Sequence, residues 1–218
     1  MKKRAQRKLG IAAAVLTIFV LWTLAVCFVD VRPIGPHNSS VGLAGINQFV
    51  HNLTGVNFLL YHITDWLGLV PIAVCMGFGV FGLIQWSERK NICKVDWNIL
   101  VLGGFYVVTI AVYLLFERVV INYRPVLIAE VLEVSYPSST TLLTLCVMPT
   151  AAMQLNTRMK NGVLRRCVVV AIMVFTAFTV IGRILSGVHW ITDIIGGVLI
   201  SAGLVMLYCF LTELKGET

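Results

Sequence analysis

The chain has few charged residues: Asp, Glu, Lys and Arg make up only 12% of its 218 residues, whereas hydrophobic residues make up 58%. It contains no polar stretch of the size of a soluble domain, no internal repeat and no low-complexity tract. This composition excludes an ordinary water-soluble globular domain. The mean hydropathy of +0.89 instead predicts an integral membrane protein, with a single membrane domain over residues 1–218.

The six cysteines are scattered along the chain and show no C-x-x-C spacing. Most of them fall inside apolar stretches, where cysteine usually acts as a small apolar packing residue. The pattern therefore predicts neither disulfide bonds nor a metal site. We expect no cofactor.

Six apolar segments are long enough to cross a membrane as α-helices. They cover residues 11–28, 66–86, 97–116, 139–155, 167–184 and 190–211. The predicted fold is therefore all-α, a polytopic membrane protein with six transmembrane helices in a bundle. The first segment follows Met-Lys-Lys-Arg, as a signal peptide does, but its length and the lack of a clear A-x-A site favour a retained helix.

The basic residues follow the positive-inside rule if the N-terminus is cytoplasmic. With that orientation 13 of the 17 Lys and Arg residues, the last of them Lys215, lie in cytoplasmic segments. The net charge of +7 therefore reflects topology, and we expect no nucleic-acid partner. The other four basic residues, Arg32, Arg118, Arg124 and Arg183, lie outside. We predict that both termini are cytoplasmic, and the chain is compatible with a bacterial plasma membrane.

Arg183, His189 and Asp193 stand in the spacing R-x5-H-x3-D between the last two spans, on the outer side. Ionisable groups at such a boundary are costly unless they bind or transform something. Asp193 lies one helical turn from His189, so it can accept a hydrogen bond from one ring nitrogen and leave the other nucleophilic. Arg183 offers a planar group suited to phosphate. We predict that His189 and Asp193 are catalytic.

Two further polar clusters reach the outer side by the same count of crossings. The first follows the third span and contains Arg118 and Arg124, which can hold phosphate oxygens by charge-assisted hydrogen bonds. The second, at the start of the fourth span, contains Ser138, Ser139 and Thr140, where backbone N–H groups of a helix start can point at an anion. These residues are predicted to bind phosphate.

The three clusters, within residues 117–193, would form an oxyanion site beside a nucleophilic imidazole. Attack by His189 on phosphorus would give a phosphohistidine, which water would hydrolyse while the arginines stabilise the charge on the phosphoryl oxygens. The pattern predicts a phosphatase that acts on a lipid phosphate of the surrounding membrane.

The clusters resemble the motifs K-x6-R-P, P-S-G-H and S-R-x5-H-x3-D of the type 2 phosphatidic acid phosphatases, the PAP2 superfamily. Order and spacing agree, and the resemblance covers roughly residues 60–210. It implies a six-helix, metal-independent membrane phosphatase with His189 as the nucleophile and Asp193 as its orienting partner. It also implies that Arg124 and Arg183 bind the phosphate.

Three departures from the family pattern bear on the chemistry of the site. Gly182 replaces the serine of the third motif, and Glu117 replaces the lysine of the first. The nearest cation is Arg118, one residue later, which turns its direction by about 100° on a helix. Thr140 replaces the histidine that protonates the leaving group in the family, and a threonine hydroxyl is no general acid at neutral pH.

The loss of that histidine favours a substrate with a better leaving group. A lipid alkoxide leaves poorly without a proton, whereas a phosphate monoester, whose second pKa is about 6, leaves readily as an anion. We therefore expect a lipid diphosphate, such as undecaprenyl diphosphate or another polyprenyl diphosphate, to suit the site better than phosphatidate.

Two alternatives stay open at this stage. One of the outer histidines, His37, His51 or His62, could supply the missing acid, although solvated or interfacial positions are the more common role for such residues. The protein could also be a non-catalytic lipid-phosphate binder, carrier or flippase, because a pure binder tolerates Thr140. An intact His189 and Asp193 would be unnecessary in such a protein.

Overall fold

The structure, a computed structural model, is all-helical and describes residues 2–214, with the backbone alone for Lys2. Met1 and residues 215–218, which include the predicted cytoplasmic Lys215, lie outside the described part. The helices are α1 (Lys2–Phe28), α2 (Ala44–Thr54), α3 (Phe58–Leu67), α4 (Leu69–Arg89), α5 (Trp97–Arg118), α6 (Ser139–Arg158), α7 (Gly162–Leu185) and α8 (Ile191–Leu214).

Long apolar helices confirm the prediction of a helical membrane protein. Within the described residues, five segments are long and apolar enough to cross a membrane. They are Lys3–Phe28, Phe58–Arg89, Trp97–Arg118, Gly162–Leu185 and Ile191–Leu214. They contain five of the six predicted spans, and the second runs through α3 and α4 together.

The remaining predicted span is α6, the helix at the centre of the bundle. It packs against α4, α5, α7 and α8, and Thr141, Thr144 and Thr150 are completely buried. Thr150 Oγ1 donates to the Cys146 carbonyl at 2.7 Å, and Thr141 Oγ1 donates to Ser138 Oγ at 3.0 Å, whereas Thr144 Oγ1 has no hydrogen-bond partner among the described residues. Because other helices cover α6, it can carry threonines where a lipid-facing helix needs apolar residues. The six-helix bundle is thus built around its least apolar member.

The outer segment between the first two predicted spans is not a simple loop, because it folds into α2 and α3. Asn57 caps α3 by accepting a hydrogen bond from the Leu60 N–H at 2.9 Å. The exposed side chains of α2 include Ile46, Phe49 and Leu53. Such an apolar face suits a helix that lies at a membrane surface.

Asn47 fastens α2 to the start of α8. Its amide donates to the Gly42 carbonyl at 2.9 Å and to Thr192 Oγ1 at 3.0 Å, and its side-chain oxygen accepts from the Thr192 N–H at 3.3 Å. Asn47 is completely buried, so these bonds satisfy polar groups that water cannot reach. They hold α2 beside the turn between α7 and α8.

Asp96 joins the ends of three helices at the opposite end of the bundle. Its carboxylate accepts hydrogen bonds from Arg158 Nη1 at 3.0 Å, Arg89 Nη1 at 2.9 Å and Gln85 Nε2 at 3.0 Å. The bond from Arg158 first, with those from Arg89 and Gln85, holds the pKa of the Asp96 carboxyl at about 2. The network therefore ties α4, α5 and α6 together through one ionised carboxylate.

Asp96→Asn is expected to destabilise the protein at neutral pH, because it leaves Arg89 and Arg158 without their shared anion. A lowered pKa in the folded state contributes stability above the ordinary carboxyl pKa and loses it as the pH falls toward 2. Thermal unfolding in detergent should therefore show a Tm about 2–5 °C lower at pH 7, with a smaller difference near pH 3. The exposed Glu88 offers a matched control, Glu88→Gln. A constant difference across pH would contradict this account.

Candidate active site

Three parts of the chain lie at the end of the bundle away from Asp96: the α2–α3 link, the start of α6 and the α7–α8 turn. The Ser138 N–H donates to the Asp193 carbonyl at 3.1 Å, which joins the start of α6 to the start of α8. The Asn57 N–H donates to the Ser186 carbonyl at 2.9 Å, which joins the α2–α3 link to the α7–α8 turn. The Trp190 Nε1–H donates to the Tyr123 carbonyl at 2.8 Å, so the segment of Arg124 reaches the same end, although Arg118 of that cluster does not.

The α7–α8 turn that carries His189 depends on Gly187. This glycine has a φ of +65°, and a Cβ on it would lie 1.7 Å from the Gly55 carbonyl oxygen. A side chain there is excluded both by strain and by collision. The close approach presses the turn against the α2–α3 link and leaves His189 only 5% exposed.

A serine that the sequence reasoning missed connects His189 to Asp193. The two predicted partners lie 3.7 Å apart, from Nδ1 to Oδ2. Ser135 Oγ lies 3.0 Å from His189 Nδ1 and donates a short hydrogen bond to Asp193 Oδ2. Asn122 Nδ2 donates to the other carboxylate oxygen at 3.1 Å. The expected direct hydrogen bond is replaced by a relay through a hydroxyl.

The other ring nitrogen of His189 faces Arg183. Nε2 lies 2.8 Å from Arg183 Nη2, and a guanidinium only donates, so Nε2 accepts and carries no proton. The proton then resides on Nδ1 and is donated to Ser135. Burial, followed by the charges of Arg124 and Arg183, lowers the pKa of His189 well below its ordinary value. The ring is thus neutral, and Nε2 carries a lone pair and no proton.

Arg124 and Arg183 form a buried pair of cations around one aromatic ring. Their Cζ atoms lie 5.6 Å and 5.1 Å from the centre of the Tyr61 ring. Arg124 Nε pairs with Glu133 at 3.0 Å, and Arg183 Nη1 pairs with Asp65 at 3.6 Å. These ion pairs lack hydrogen-bond geometry, so Nε and Nη1 of both arginines stay buried without a hydrogen-bond acceptor among the described residues.

Four buried donors without acceptors are energetically unfavourable, at about 1–3 kcal/mol for each. An oxyanion bound between the two arginines would satisfy them through charge-assisted hydrogen bonds. The arrangement can therefore hold a phosphoryl group beside an unprotonated imidazole nitrogen, which is the geometry that nucleophilic attack on phosphorus requires.

Gly182, which stands where the family motif has serine, has a structural role. A Cβ at this position would come within 2.6 Å of the Thr64 methyl carbon. Without a side chain there, α3 packs directly on α7, and its residues Tyr61 and Asp65 reach Arg183. The glycine thus allows α3 to complete the site.

The four other predicted phosphate ligands lie in different surroundings. Arg118 is exposed at the end of α5, and no hydrogen bond or ion pair joins it to a described site residue. Ser138 is completely buried, and its Oγ accepts from Thr141 Oγ1 at 3.0 Å. Ser139 borders a small cavity with His189. Thr140 is buried at the α3–α4 junction, where a Cβ on Gly68 would lie 3.4 Å from its methyl carbon.

Of the outer histidines, His51 packs closest to the His189 turn. Its ring lies 5.5 Å from that of Trp190. Burial lowers its pKa, which favours a neutral ring and not an acid. His62 is exposed beside Tyr61, and His37 lies in a short 3-10 turn.

The profile of the PAP2 superfamily matches residues 72–215, about two thirds of the chain, and this range contains all three motifs. The fold is that of a membrane phosphatase family. The chain belongs to the PAP2 superfamily.

The chain also resembles a solved structure, the transmembrane PAP2 type phosphatidylglycerolphosphate phosphatase from Bacillus subtilis. The TM-score is 0.58 at 19% sequence identity, over 94% of this chain and 96% of the other. At this identity the likeness shows a shared fold. No curated protein matches the chain.

Ser135→Ala should lower the rate of phosphate release by about 10–100-fold, the usual effect of losing a group that orients a reactive ligand. The variant removes the hydroxyl that accepts the Nδ1 proton and leaves Asp193 out of hydrogen-bond range. Ser201 is equally buried and donates to its own helix at Gly197, so Ser201→Ala is the matched control. Full activity in Ser135→Ala would show that no relay is needed.

Proposed function

We propose that this protein hydrolyses a lipid phosphate through a phosphohistidine formed on His189. The observation that carries the proposal is the buried, neutral imidazole whose unprotonated Nε2 contacts Arg183. Both Arg183 and the neighbouring Arg124 have buried donors without acceptors among the described residues. Membership of a phosphatase superfamily supports the same reaction class.

The proposed reaction begins when a phosphoryl group enters between Arg124 and Arg183. The Nη2 donor of Arg183 moves from His189 to a phosphoryl oxygen, which frees the Nε2 electron pair. Nε2 then attacks phosphorus, and the two guanidinium groups stabilise the charge on the phosphoryl oxygens. Positive charge that develops on the ring is balanced through Nδ1, Ser135 and the Asp193 carboxylate. Water then cleaves the P–N bond and returns the histidine.

We further propose that the site faces the extracytoplasmic side of a bacterial plasma membrane. The described basic residues in the segments predicted to be cytoplasmic include Arg89 and Arg158, which lie at the opposite end of the bundle from His189. The positive-inside rule assigns that opposite end to the cytoplasm. The substrate then arrives from the outer leaflet, next to the exposed apolar side chains of α2.

The preferred substrate is a lipid diphosphate, in this proposal, because Thr140 occupies the acid position. The hydroxyl of Thr140 cannot deliver a proton at neutral pH. A diphosphate expels a phosphate monoester, which needs no proton, whereas phosphatidate must expel an alkoxide. Undecaprenyl diphosphate and other polyprenyl diphosphates have this chemistry.

A second candidate is a lipid-phosphate carrier or flippase without catalysis. The contact between Arg183 Nη2 and His189 Nε2 favours it, because the nucleophilic electron pair is engaged in the ligand-free state. Thr140 is compatible with the same function. The two candidates differ in one product, the phosphohistidine.

Purified protein should release phosphate from a polyprenyl diphosphate at least about tenfold faster than from phosphatidate, because only the second reaction needs a proton on the leaving oxygen. Initial rates in mixed micelles of one detergent, at matched surface concentrations of the two lipids, measure the preference. Equal rates or a preference for phosphatidate would reject the substrate assignment.

Rapid quenching in base after mixing with a 32P-labelled lipid diphosphate should trap an acid-labile, base-stable label on His189. His189→Gln should show neither label nor turnover, because the attacking nitrogen is gone. His37→Asn, in an outer turn away from the site, is the matched control and should keep both. Turnover in His189→Gln would exclude the mechanism, and binding of the lipid without label or turnover in the unaltered protein would favour the carrier.

A further inference from the structure

The proposed reaction leaves one chemical task unassigned in this chain: a proton for the leaving oxygen when that oxygen belongs to an alcohol. Thr140 cannot supply it at neutral pH. The ionisable side chains around the arginine pair and His189 are therefore the groups to consider. Besides Asp193, which accepts hydrogen bonds from Ser135 and Asn122, and Tyr61, whose ring faces both arginines, they include four described residues. These four are Asp65, Glu117, Glu133 and His51.

Three of these groups face elsewhere. Glu117 borders a small cavity with Ser139 and His189, but neither arginine borders that cavity. Glu133 Oε2 faces Arg124 Nε at 3.0 Å, and no contact joins it to the residues around Thr140. The ring of His51 packs against that of Trp190 at 5.5 Å.

Asp65 lies beside Arg183, which hydrogen bonds to His189, and near Thr140, which occupies the position of the missing acid. Arg183 contacts Asp65 Oδ1 through Nη1 at 3.6 Å and His189 Nε2 through Nη2 at 2.8 Å. The Asp65 carbonyl accepts the N–H of Gly68 at 2.9 Å, and a Cβ on Gly68 would lie 3.4 Å from the Thr140 methyl carbon. Asp65 therefore belongs to the helix junction beside which Thr140 lies.

The Asp65 side chain is also free to meet a substrate. It is 52% exposed, whereas its partner Arg183 is completely buried. The 3.6 Å contact has no hydrogen-bond geometry, so a phosphoryl group can displace it. A phosphoryl group held by Arg183 would then contact the imidazole nitrogen on one side and the carboxyl on another.

We propose that Asp65 is the general acid for the leaving group, a role that rests on the proposed phosphatase function. As the P–N bond to His189 forms and the P–O bond breaks, the carboxyl proton of Asp65 passes to the departing oxygen. In the second step the Asp65 carboxylate takes a proton from the attacking water, the P–O bond forms, and the P–N electron pair returns to Nε2. Each turnover restores the carboxyl proton.

A bound phosphoryl group and the Asp65 carboxylate would lie beside the same guanidinium, that of Arg183. Two anions that share one guanidinium repel each other, and a proton between them relieves the repulsion. A carboxyl holds a proton less well than an imidazole at neutral pH, so a diphosphate remains the faster substrate. Asp65 extends the reaction to lipid monophosphates.

The test is Asp65→Asn, with phosphatidate and p-nitrophenyl phosphate as substrates. The nitrophenolate leaves without a proton, whereas the lipid alcohol needs one. The kcat of the variant should fall by about 10²–10⁴-fold with phosphatidate and by less than about 5-fold with p-nitrophenyl phosphate. The ratio of the two rates is independent of the folded fraction, so partial misfolding does not obscure the result.

Glu133→Gln is the matched control, because it removes the carboxylate paired with the other arginine. It should change both rates by the same factor and leave the ratio unaltered. A ratio in Asp65→Asn equal to that of the unaltered protein would overturn the assignment of Asp65. If the unaltered protein labels His189 and hydrolyses both substrates, only Asp65 is then misassigned; if it does neither, the phosphatase function itself fails.

Discussion

The site depends on the burial of two arginines next to a histidine. Their like charges and the loss of water keep the imidazole neutral, and the hydrogen bond from Arg183 fixes which of its nitrogens is free of a proton. The same burial leaves guanidinium donors unsatisfied. In the proposed function an oxyanion relieves this electrostatic cost, so that affinity for phosphate and activation of His189 would have one physical cause.

The helices serve this site by bringing distant segments to one end of the bundle. Gly182 lets α3 approach α7, and Gly187 lets the His189 turn press on the α2–α3 link. Both glycines act through the absence of a side chain. The central helix α6 contributes its start to the same region, and its threonines are tolerated because neighbouring helices cover it.

Hydropathy and motif spacing predicted the membrane class, the order of the long helices and the convergence of Arg124, Arg183 and His189. They did not predict α2, which is too short to span a membrane, or the extension of the second span into α3. Ser135 was not predicted either, because no spacing rule connects it to His189. Only the fold brings it between the ring and Asp193.

The central claim is that Arg124, Arg183 and His189 together hold a phosphoryl group at the point of attack. A structure of the protein with orthovanadate, which mimics phosphorus in the middle of a displacement, tests it most directly. We predict vanadium within bonding distance of His189 Nε2, with its oxygens bound by both guanidinium groups. Vanadate bound elsewhere, with Arg183 still hydrogen bonded to Nε2, would contradict the account.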